Sequence, residues 1–326
     1  MPLLLFMTFT VAQEARDCKR WNPRVGPAQA AEGEASCCTR PIEWRGFGVR
    51  RVDRVSPQSD SFVVEPGDQA SSVIIHVPHA ATFIPDLLYA GFTLDRKDVD
   101  AEAVLLADIE TDQLAAAAAD LSGVRPWQFV NRTSRLVVDP ERFEDDAQES
   151  AAAFGQGVVY VRTADRRQLR NAGTDREPLL VDYYRPYHRA FDDLARSLLA
   201  VHGTVTVIDL HSYPLVPLPT EMVGPGVQRP DVCVGTDPFH TPETLAVAAR
   251  TAVTSHGLSV GLDQPYVGCF IPSFAYGIDP RVRGVMLEIR RDVYTDALGR
   301  WDVTRPHPTA RVLADLVGAA TLDAFG

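Results

Sequence analysis

The chain has 326 residues, of which 45% are hydrophobic and 23% charged, a composition typical of a globular protein. Its formal net charge of −11 argues against a nucleic-acid partner, because phosphate binding requires a basic surface. The five cysteines include no CxxC pair, which argues against a disulfide framework and against a cysteine zinc site.

The first part of the chain differs in composition from the rest. Residues 1–60 are rich in Arg, Pro, Gly, Gln and Ser and have no sustained hydrophobic period, which predicts a poorly structured N-terminal extension. Its short apolar opening lacks a basic flank and a clean cleavage motif, so we predict a cytoplasmic protein, with secretion as the alternative. The sequence contains no apolar run of about 20 residues, so no membrane span is predicted.

From residue 61 onward, predicted strands alternate with predicted helices. The patterns place strands at 73–77, 134–139, 205–208, 230–237 and 283–292, and helices at 100–122, 186–203, 242–257 and 309–325. Segment 143–181 has few periodic apolar residues and is expected to form a long excursion near the functional site. This alternation predicts one α/β domain over residues 61–326, with a mixed, mostly parallel sheet flanked by helices.

Three of the predicted strands carry side chains suited to chemistry at or near their carboxyl ends. These side chains are His79, His211 and Glu288. Ligands of α/β sheets bind beyond the carboxyl ends of the strands, so the three are expected at one edge. Neutral imidazoles and a carboxylate are a usual hydrolytic zinc set. Each histidine alone is better explained as a hydrogen-bonded residue at a strand end, but the three together favour a metal centre.

Several short motifs, each weak alone, occur in an order that resembles a known family. They are VPHAATFIP (77–85), DIETDQL (108–114), SRLVVDPER (134–142), YYRPYH (183–188), IDLHSYP (208–214), GTDPFHTP (235–242) and MLEIRRD (286–292). Over residues 71–310 the chain resembles the N-formylglutamate amidohydrolases of the zinc carboxypeptidase-like superfamily. The resemblance implies a phosphorylase/hydrolase-like, zinc-carboxypeptidase-like α/β fold and hydrolysis of an amide bond.

The resemblance also implies one Zn²⁺ per chain, held by His79, His211 and an acid from the helix predicted at 100–122. The motif anchors on Asp108, which is the predicted third ligand. Asp112 is the alternative because it lies four residues further on, on the same helical face, whereas Glu110 points about 200° away from Asp108.

The remaining roles concern the reaction and the substrate. Glu288 is expected to act as the general base, taking a proton from the attacking water and passing it to the leaving amine. Arg135 and Arg142 resemble the arginines that hold the substrate carboxylate or polarise its carbonyl, since a planar guanidinium binds a carboxylate bidentately. His240 is expected either to contact substrate or to cap the helix predicted at 242–257.

One departure from the family pattern bears on the substrate. The family often reads Asp-x-Asn-Arg where this chain has DPER (139–142), so Glu141 replaces an asparagine. An acid beside the carboxylate-binding arginines disfavours a doubly anionic ligand. It leaves the predicted metal ligands unaffected.

The sequence therefore predicts a zinc-dependent amidohydrolase that cleaves an N-formyl or N-acyl amino acid resembling N-formylglutamate. A carboxypeptidase-like hydrolase acting on a modified peptide is the first alternative. A non-catalytic binding protein with the same fold is the second, and the presence of His79, His211 and Glu288 argues against it. The expected partner is a small acylated amino acid or a peptide, with neither nucleic acid nor membrane, and the oligomeric state is left open.

Overall fold

A seven-stranded sheet forms the centre of the fold, in the spatial order β1-β3-β2-β4-β7-β5-β6. The strands are β1 (Phe62–Glu65), β2 (Val73–Val77), β3 (Trp127–Asn131), β4 (Val205–Tyr213), β5 (Val232–Gly235), β6 (Val260–Leu262) and β7 (Val282–Arg290). Neighbouring strands β3, β2, β4 and β7 are parallel, whereas β1 runs antiparallel to β3 and β5 antiparallel to β7. The predicted mixed, mostly parallel sheet is confirmed.

The computed structural model describes residues 61–218, 221, 229–301 and 307–323, all of which belong to one compact unit. The extension predicted at residues 1–60 lies outside the described residues. The α-helices are α1 (Arg96–Leu106), α2 (Thr111–Leu121), α3 (Glu177–Leu179), α4 (Arg185–His202), α5 (Glu243–Ser255) and α6 (Pro308–Asp323). A π-helical turn joins α3 to α4. Within the described ranges, no helix is long and apolar enough to cross a bilayer.

Helices cover both faces of the sheet, so alternate residues of its central strands enter two different cores. On one face, Ile75 and Leu210 pack against α2, α5 and α6. On the other face, Ile74 and Val207 pack against α4. Burial on both faces explains why the central strands read as nearly continuous apolar runs. The polar residues that interrupt these runs on the α4 face mark the functional site.

The helix predicted at 100–122 is wrong in one important respect. The segment forms two helices, α1 and α2, separated by a break at 107–110 in which Glu110 adopts a φ of 66°. Asp108 lies in this break and Asp112 in the first turn of α2, so the two do not share a helical face. The backbone N–H of Asp108 donates to His79 O at 2.9 Å, a long-range bond that competes with helix continuation.

The strand predicted at 134–139 is also wrong. This segment forms consecutive turns, in which Val137 N–H donates to Ser134 O at 2.8 Å. Its apolar residues are buried in a third cluster that also contains Ile84 and Leu106, outside the sheet. The apolar residues of this run are buried in that cluster without pairing to another strand. The strand that lies between β1 and β2 in the sheet is β3.

Candidate metal centre and active site

Two imidazoles meet where β2 and β4 approach their carboxyl ends. His79 follows β2 and His211 lies near the end of β4, and the two strands are adjacent and parallel. His79 Nδ1 lies 3.3 Å from His211 Nδ1, and both side chains are buried. Sheet topology therefore brings together two residues that are far apart in the sequence.

Asp108 completes a triangle of donor atoms with these imidazoles. Its Oδ2 lies 3.0 Å from His211 Nδ1 and 3.6 Å from His79 Nδ1. The break between α1 and α2 points this carboxylate at the sheet edge, and the Thr111 hydroxyl fixes the backbone of the break by donating to the main-chain carbonyl of Asp108 at 2.7 Å. Asp112 is half-buried in α2 and has no hydrogen bond or ion pair with these three side chains in the part of the chain described.

The size of this triangle suits a small tetrahedral cation. Zinc binds nitrogen and carboxylate oxygen at about 2.0–2.1 Å, and a tetrahedron of that radius separates its donor atoms by about 3.3–3.4 Å. The observed edges of 3.0, 3.3 and 3.6 Å match this spacing. His79, Asp108 and His211 therefore fit a metal ion with three protein ligands and a fourth position for water or substrate.

The other nitrogen of each imidazole faces a carboxylate. His79 Nε2 lies 2.9 Å from Asp139 Oδ1. His211 Nε2 lies 3.2 Å from Glu141 Oε1 and 3.2 Å from Asp209 Oδ1. Histidines that ligate metals usually donate their second N–H to such a group, which fixes ring orientation and tautomer. With hydrogen on both Nε2 atoms, both Nδ1 lone pairs point at the space beside Asp108.

Asp139 is the centre of a buried charge network behind His79. Arg135 donates to Asp139 Oδ2 from Nη2 at 2.7 Å and from Nε at 3.1 Å, and Tyr160 donates its hydroxyl at 2.7 Å. Burial acts to raise the pKa of Asp139, but the charges of Arg135, His79 and Arg142 outweigh it and hold that pKa well below its usual range. Asp139 therefore stays ionised.

The two arginines differ in the donors they have left. Arg135 donates from two nitrogens to a single oxygen of Asp139, which commits much of its guanidinium. Arg142 donates from Nε to Gln156 O at 3.2 Å, whereas its Nη2 is buried and has no hydrogen-bond partner among the described residues. An orphaned guanidinium nitrogen is available to an acceptor such as a carboxylate.

Glu288 lies on β7 directly beside His211 in the parallel pairing with β4. Its side chain is buried, and its Oε2 has no hydrogen-bond partner in the described chain. Burial raises the pKa of Glu288 to about 8; the positive charge of His211 opposes this shift and Asp108 adds to it. A carboxyl group with its pKa near neutral pH and an open oxygen can both release and take up a proton.

Glu141, which in the sequence is only a departure from the family pattern, is part of the cluster in the structure. Its Oε2 lies 3.7 Å from His79 Nδ1, and it could hold a metal together with His79 and His211. We place Asp108 ahead of it because one Asp108 oxygen approaches both Nδ1 atoms, whereas the shortest contact of Glu141 is with the other nitrogen of His211.

His240 takes no part in this cluster. Its ring is buried, its Nδ1 donates to Val282 O at 2.7 Å, and its Nε2 accepts from Gly277 N–H at 2.8 Å. Both nitrogens are thus used to fasten the turn that leads into β7. This arrangement favours a structural role for His240 over the predicted substrate contact.

Comparisons with known proteins agree with this architecture. The N-formylglutamate amidohydrolase family model matches residues 71–295. The fold is similar to that of an N-formylglutamate amidohydrolase from Ralstonia eutropha JMP134, with a TM-score of 0.65 and 21% identity over 81% of this chain and 97% of that chain. It is also similar to a gene product from Agrobacterium tumefaciens, with a TM-score of 0.56 and 19% identity over 82% of this chain and 96% of that chain. No curated protein matches the chain significantly.

Proposed function

Because the chain belongs to the N-formylglutamate amidohydrolase family, we propose that it is a zinc-dependent hydrolase that cleaves the amide bond of an N-formyl or N-acyl amino acid. Family membership supports hydrolysis of an amide bond. The dependence on zinc and the identity of the substrate are what we propose beyond it. The observation that carries it is the donor triangle of His79, Asp108 and His211, in which each imidazole has a carboxylate behind it.

The proposed roles follow from position. A zinc ion held by His79, Asp108 and His211 would act as a Lewis acid that polarises the scissile carbonyl and lowers the pKa of water. Glu288 takes a proton from the attacking water and returns it to the leaving nitrogen through its open Oε2. Arg142 binds the substrate carboxylate through its unpartnered Nη2. Arg135 holds Asp139, and through it His79, in place.

The substrate follows the family only in part. The Ralstonia protein is an N-formylglutamate amidohydrolase, and N-formylglutamate carries two carboxylates. In this chain the buried carboxylate of Glu141 lies within 3.7 Å of both imidazoles, so a second anionic group here meets repulsion. We therefore expect N-acyl amino acids with one carboxylate to be cleaved at least as well as N-formylglutamate. The cytoplasmic location stays a prediction from the sequence.

A metal analysis followed by a substrate panel tests the proposal. Purified protein should contain one zinc per chain, and chelation should abolish hydrolysis of N-formyl and N-acetyl amino acids until zinc is restored. Full activity after complete metal removal would contradict the zinc mechanism. Release of C-terminal residues from peptides, without cleavage of N-acyl amino acids, would favour the carboxypeptidase-like alternative. A zinc-loaded protein that cleaves neither class would favour the binding-protein alternative.

A further inference from the structure

His76 is a polar residue in an aromatic environment at the centre of β2. Its side chain has no solvent exposure, and four rings surround it at centroid distances of 4.3–6.4 Å: Phe129, Phe191, Phe270 and Tyr187. A buried imidazole is unfavourable unless its nitrogens are hydrogen-bonded, and an apolar side chain would fill this position without that requirement. Packing alone therefore does not account for a histidine here.

Both nitrogens of His76 are partnered, and the partners fix its tautomer. Nδ1 lies 2.9 Å from Asp209 Oδ1, and Nε2 lies 2.6 Å from the Tyr187 hydroxyl. Asp209 also accepts from Phe270 N–H through Oδ2 at 2.7 Å, so it serves as an acceptor on both oxygens. A carboxylate can only accept, so His76 carries its hydrogen on Nδ1, and the tyrosine hydroxyl donates to Nε2.

The same carboxylate reaches the proposed metal ligand. Asp209 and His211 lie two residues apart on β4 and therefore on one face of the sheet. Asp209 Oδ1 lies 3.2 Å from His211 Nε2, the same distance as Glu141 Oε1, and this Asp209 oxygen also faces His76, so it contacts both imidazoles. When His211 donates from Nε2, its Nδ1 has no hydrogen and keeps the lone pair that a metal ion requires.

We propose that Tyr187, His76 and Asp209 form a hydrogen-bonded chain that sets the tautomer and orientation of His211. His76 is thereby a positioning residue of the metal centre, and the inference rests on the zinc site of the proposed function. The hydrogen of His76 keeps Asp209 Oδ1 turned toward His211. Without the His76 hydrogen, the Asp209 carboxylate loses one of the donors that orient it. His211 can then carry its hydrogen on Nδ1, where the hydrogen competes with the cation.

A second cation site is the competing interpretation of the same side chains. His76, Glu141 and Asp209 present donor atoms close enough to share a metal ion, with His76 Nδ1 lying 3.7 Å from Glu141 Oε1. Hydrogen bonds already account for both nitrogens of His76 and both oxygens of Asp209. The structure therefore favours the hydrogen-bonded chain, and metal stoichiometry separates the two interpretations.

The test compares His76→Phe with His76→Asn in the full-length protein. Phenylalanine fills the aromatic cage without a donor, whereas the asparagine amide can still donate to Asp209 from near the position of Nδ1. Zinc affinity, measured by competition with a chromophoric chelator, should fall about 10–100-fold in His76→Phe and be largely restored in His76→Asn. The cobalt-substituted His76→Phe protein should also show a shifted visible spectrum. His240→Phe, which removes another buried histidine, should leave zinc affinity unchanged.

Other outcomes overturn the inference in distinguishable ways. Wild-type zinc affinity and an unchanged cobalt spectrum in His76→Phe would remove the positioning role and leave the zinc site intact. Two metal ions in the wild type and one in His76→Phe would establish the second cation site instead. A wild-type protein that binds no zinc would overturn the proposed function together with this inference.

A measurement on the zinc-loaded wild type avoids any substitution. Nitrogen-15 NMR of the histidine side chains should show the hydrogen of His211 on Nε2 and that of His76 on Nδ1. Hydrogen on Nδ1 of His211 would contradict the proposal. If His76→Phe does not fold, Tyr187→Phe removes only the last hydroxyl of the chain and should give a smaller loss of zinc affinity in the same direction; an unchanged affinity would count against the chain.

Discussion

At the scale of single residues, Asp108 and Asp112 provide a matched test of the third metal ligand. Asp108→Asn removes the charge from an oxygen that approaches both imidazoles, at 3.0 and 3.6 Å. We expect zinc affinity to fall by more than about 100-fold. Substitution of a residue that only hydrogen-bonds to a metal ligand already lowers metal affinity about 10–100-fold. Asp112→Asn should change affinity by less than about twofold in the same competition titration. The opposite ranking would assign the ligand to Asp112.

A substitution at Glu288 should affect proton transfer without affecting metal binding. Glu288→Gln keeps the size of the side chain and removes the group that accepts the proton, so turnover should fall about 10²–10⁴-fold. Zinc content should remain at one per chain, because the triangle of ligands does not include this residue. Elemental analysis and kcat measured on the same preparation check both parts. A rate near that of the wild type would remove Glu288 from the role of base.

Arg142 should govern substrate affinity. Arg142→Ala removes the unpartnered Nη2, and loss of a hydrogen bond to a charged group, about 1.5–3 kcal/mol, corresponds to a KM about 10–100-fold higher with kcat little changed. A substrate whose carboxylate is replaced by an amide should show no such difference between variant and wild type. Arg135→Lys is the control, because lysine cannot make the paired hydrogen bonds to Asp139 Oδ2 and should weaken zinc binding instead. An unchanged KM in Arg142→Ala would move the carboxylate contact elsewhere.

At the scale of elements, the sequence predicted those whose signals are local. Strands β2, β4 and β7 and helices α4 to α6 are apolar or periodic segments bounded by Pro, Gly or acidic residues. All were located to within two residues at each end except β4, which continues five residues past the predicted end at Ile208. The break between α1 and α2 depends on the bond from Asp108 N–H to His79 O, which links two distant segments. Periodicity cannot reveal such a bond. The prediction that Asp108 and Asp112 share a helical face assumed a continuous helix, which the break between α1 and α2 excludes.

The strand predicted at 134–139 failed for a related reason. Leu136, Val137 and Val138 are all buried, as strand residues would be, but their partners lie under the long excursion and outside the sheet. A short apolar run shows only that a segment is buried, and the surface that buries it is decided by tertiary structure. Strands β1, β3 and β6, which have weaker patterns, were not predicted.

Two glycines in different elements should respond oppositely to alanine. A Cβ on Gly235 of β5 would lie 2.4 Å from Gly268 O and 2.4 Å from Met286 Cε, so Gly235→Ala should lower the free energy of unfolding by about 1–3 kcal/mol. A Cβ on Gly318 of α6 meets nothing within 4 Å, so Gly318→Ala should raise it by about 0.5–1 kcal/mol. Urea unfolding of both variants measures the two changes in the free energy of unfolding. Changes of the same sign would contradict the close contacts at Gly235 or the open space at Gly318.

At the scale of the whole molecule, the site collects more buried negative charge than its arginines neutralise. The carboxyl groups that meet at this edge of the sheet are those of Asp108, Asp139, Glu141, Asp209 and Glu288, all of them buried. Arg135 and Arg142 are directed at Asp139, and Arg291 Nη2 lies 3.7 Å from Asp108 Oδ1, so Glu141 and Asp209 have no ion pair with an arginine or lysine among the described residues. Buried carboxylates without counter-charges are unfavourable, so the distribution of charge itself favours a bound metal ion.

The sequence identified the proposed ligands and base of this site more readily than the residues that hydrogen-bond to the ligands. His79, His211 and Glu288 stood out because each lies near the carboxyl end of a strong apolar run. His76 and Asp209 lie inside such runs, and they become partners only when the register of β2 against β4 pairs them directly. Register between distant strands is not encoded in either strand alone, so the hydrogen-bonded chain behind His211 required the structure.

The stability of the whole fold should depend on pH through His188, which packs on Tyr184 and lies 2.9 Å from Pro140 O. Burial lowers the pKa of His188 from 6.5 to about 4. As the pH falls below 6.5, the unfolded chain takes up this proton before the folded protein does, so stability is lost, by at most about 2 kcal/mol at pH 5. His188→Gln retains a donor for Pro140 O and does not titrate. Urea unfolding at pH 7 and pH 5, in the presence of a chelator to exclude metal binding, should therefore show a smaller loss of stability in His188→Gln than in the wild type, and an equal loss in both would contradict the assignment.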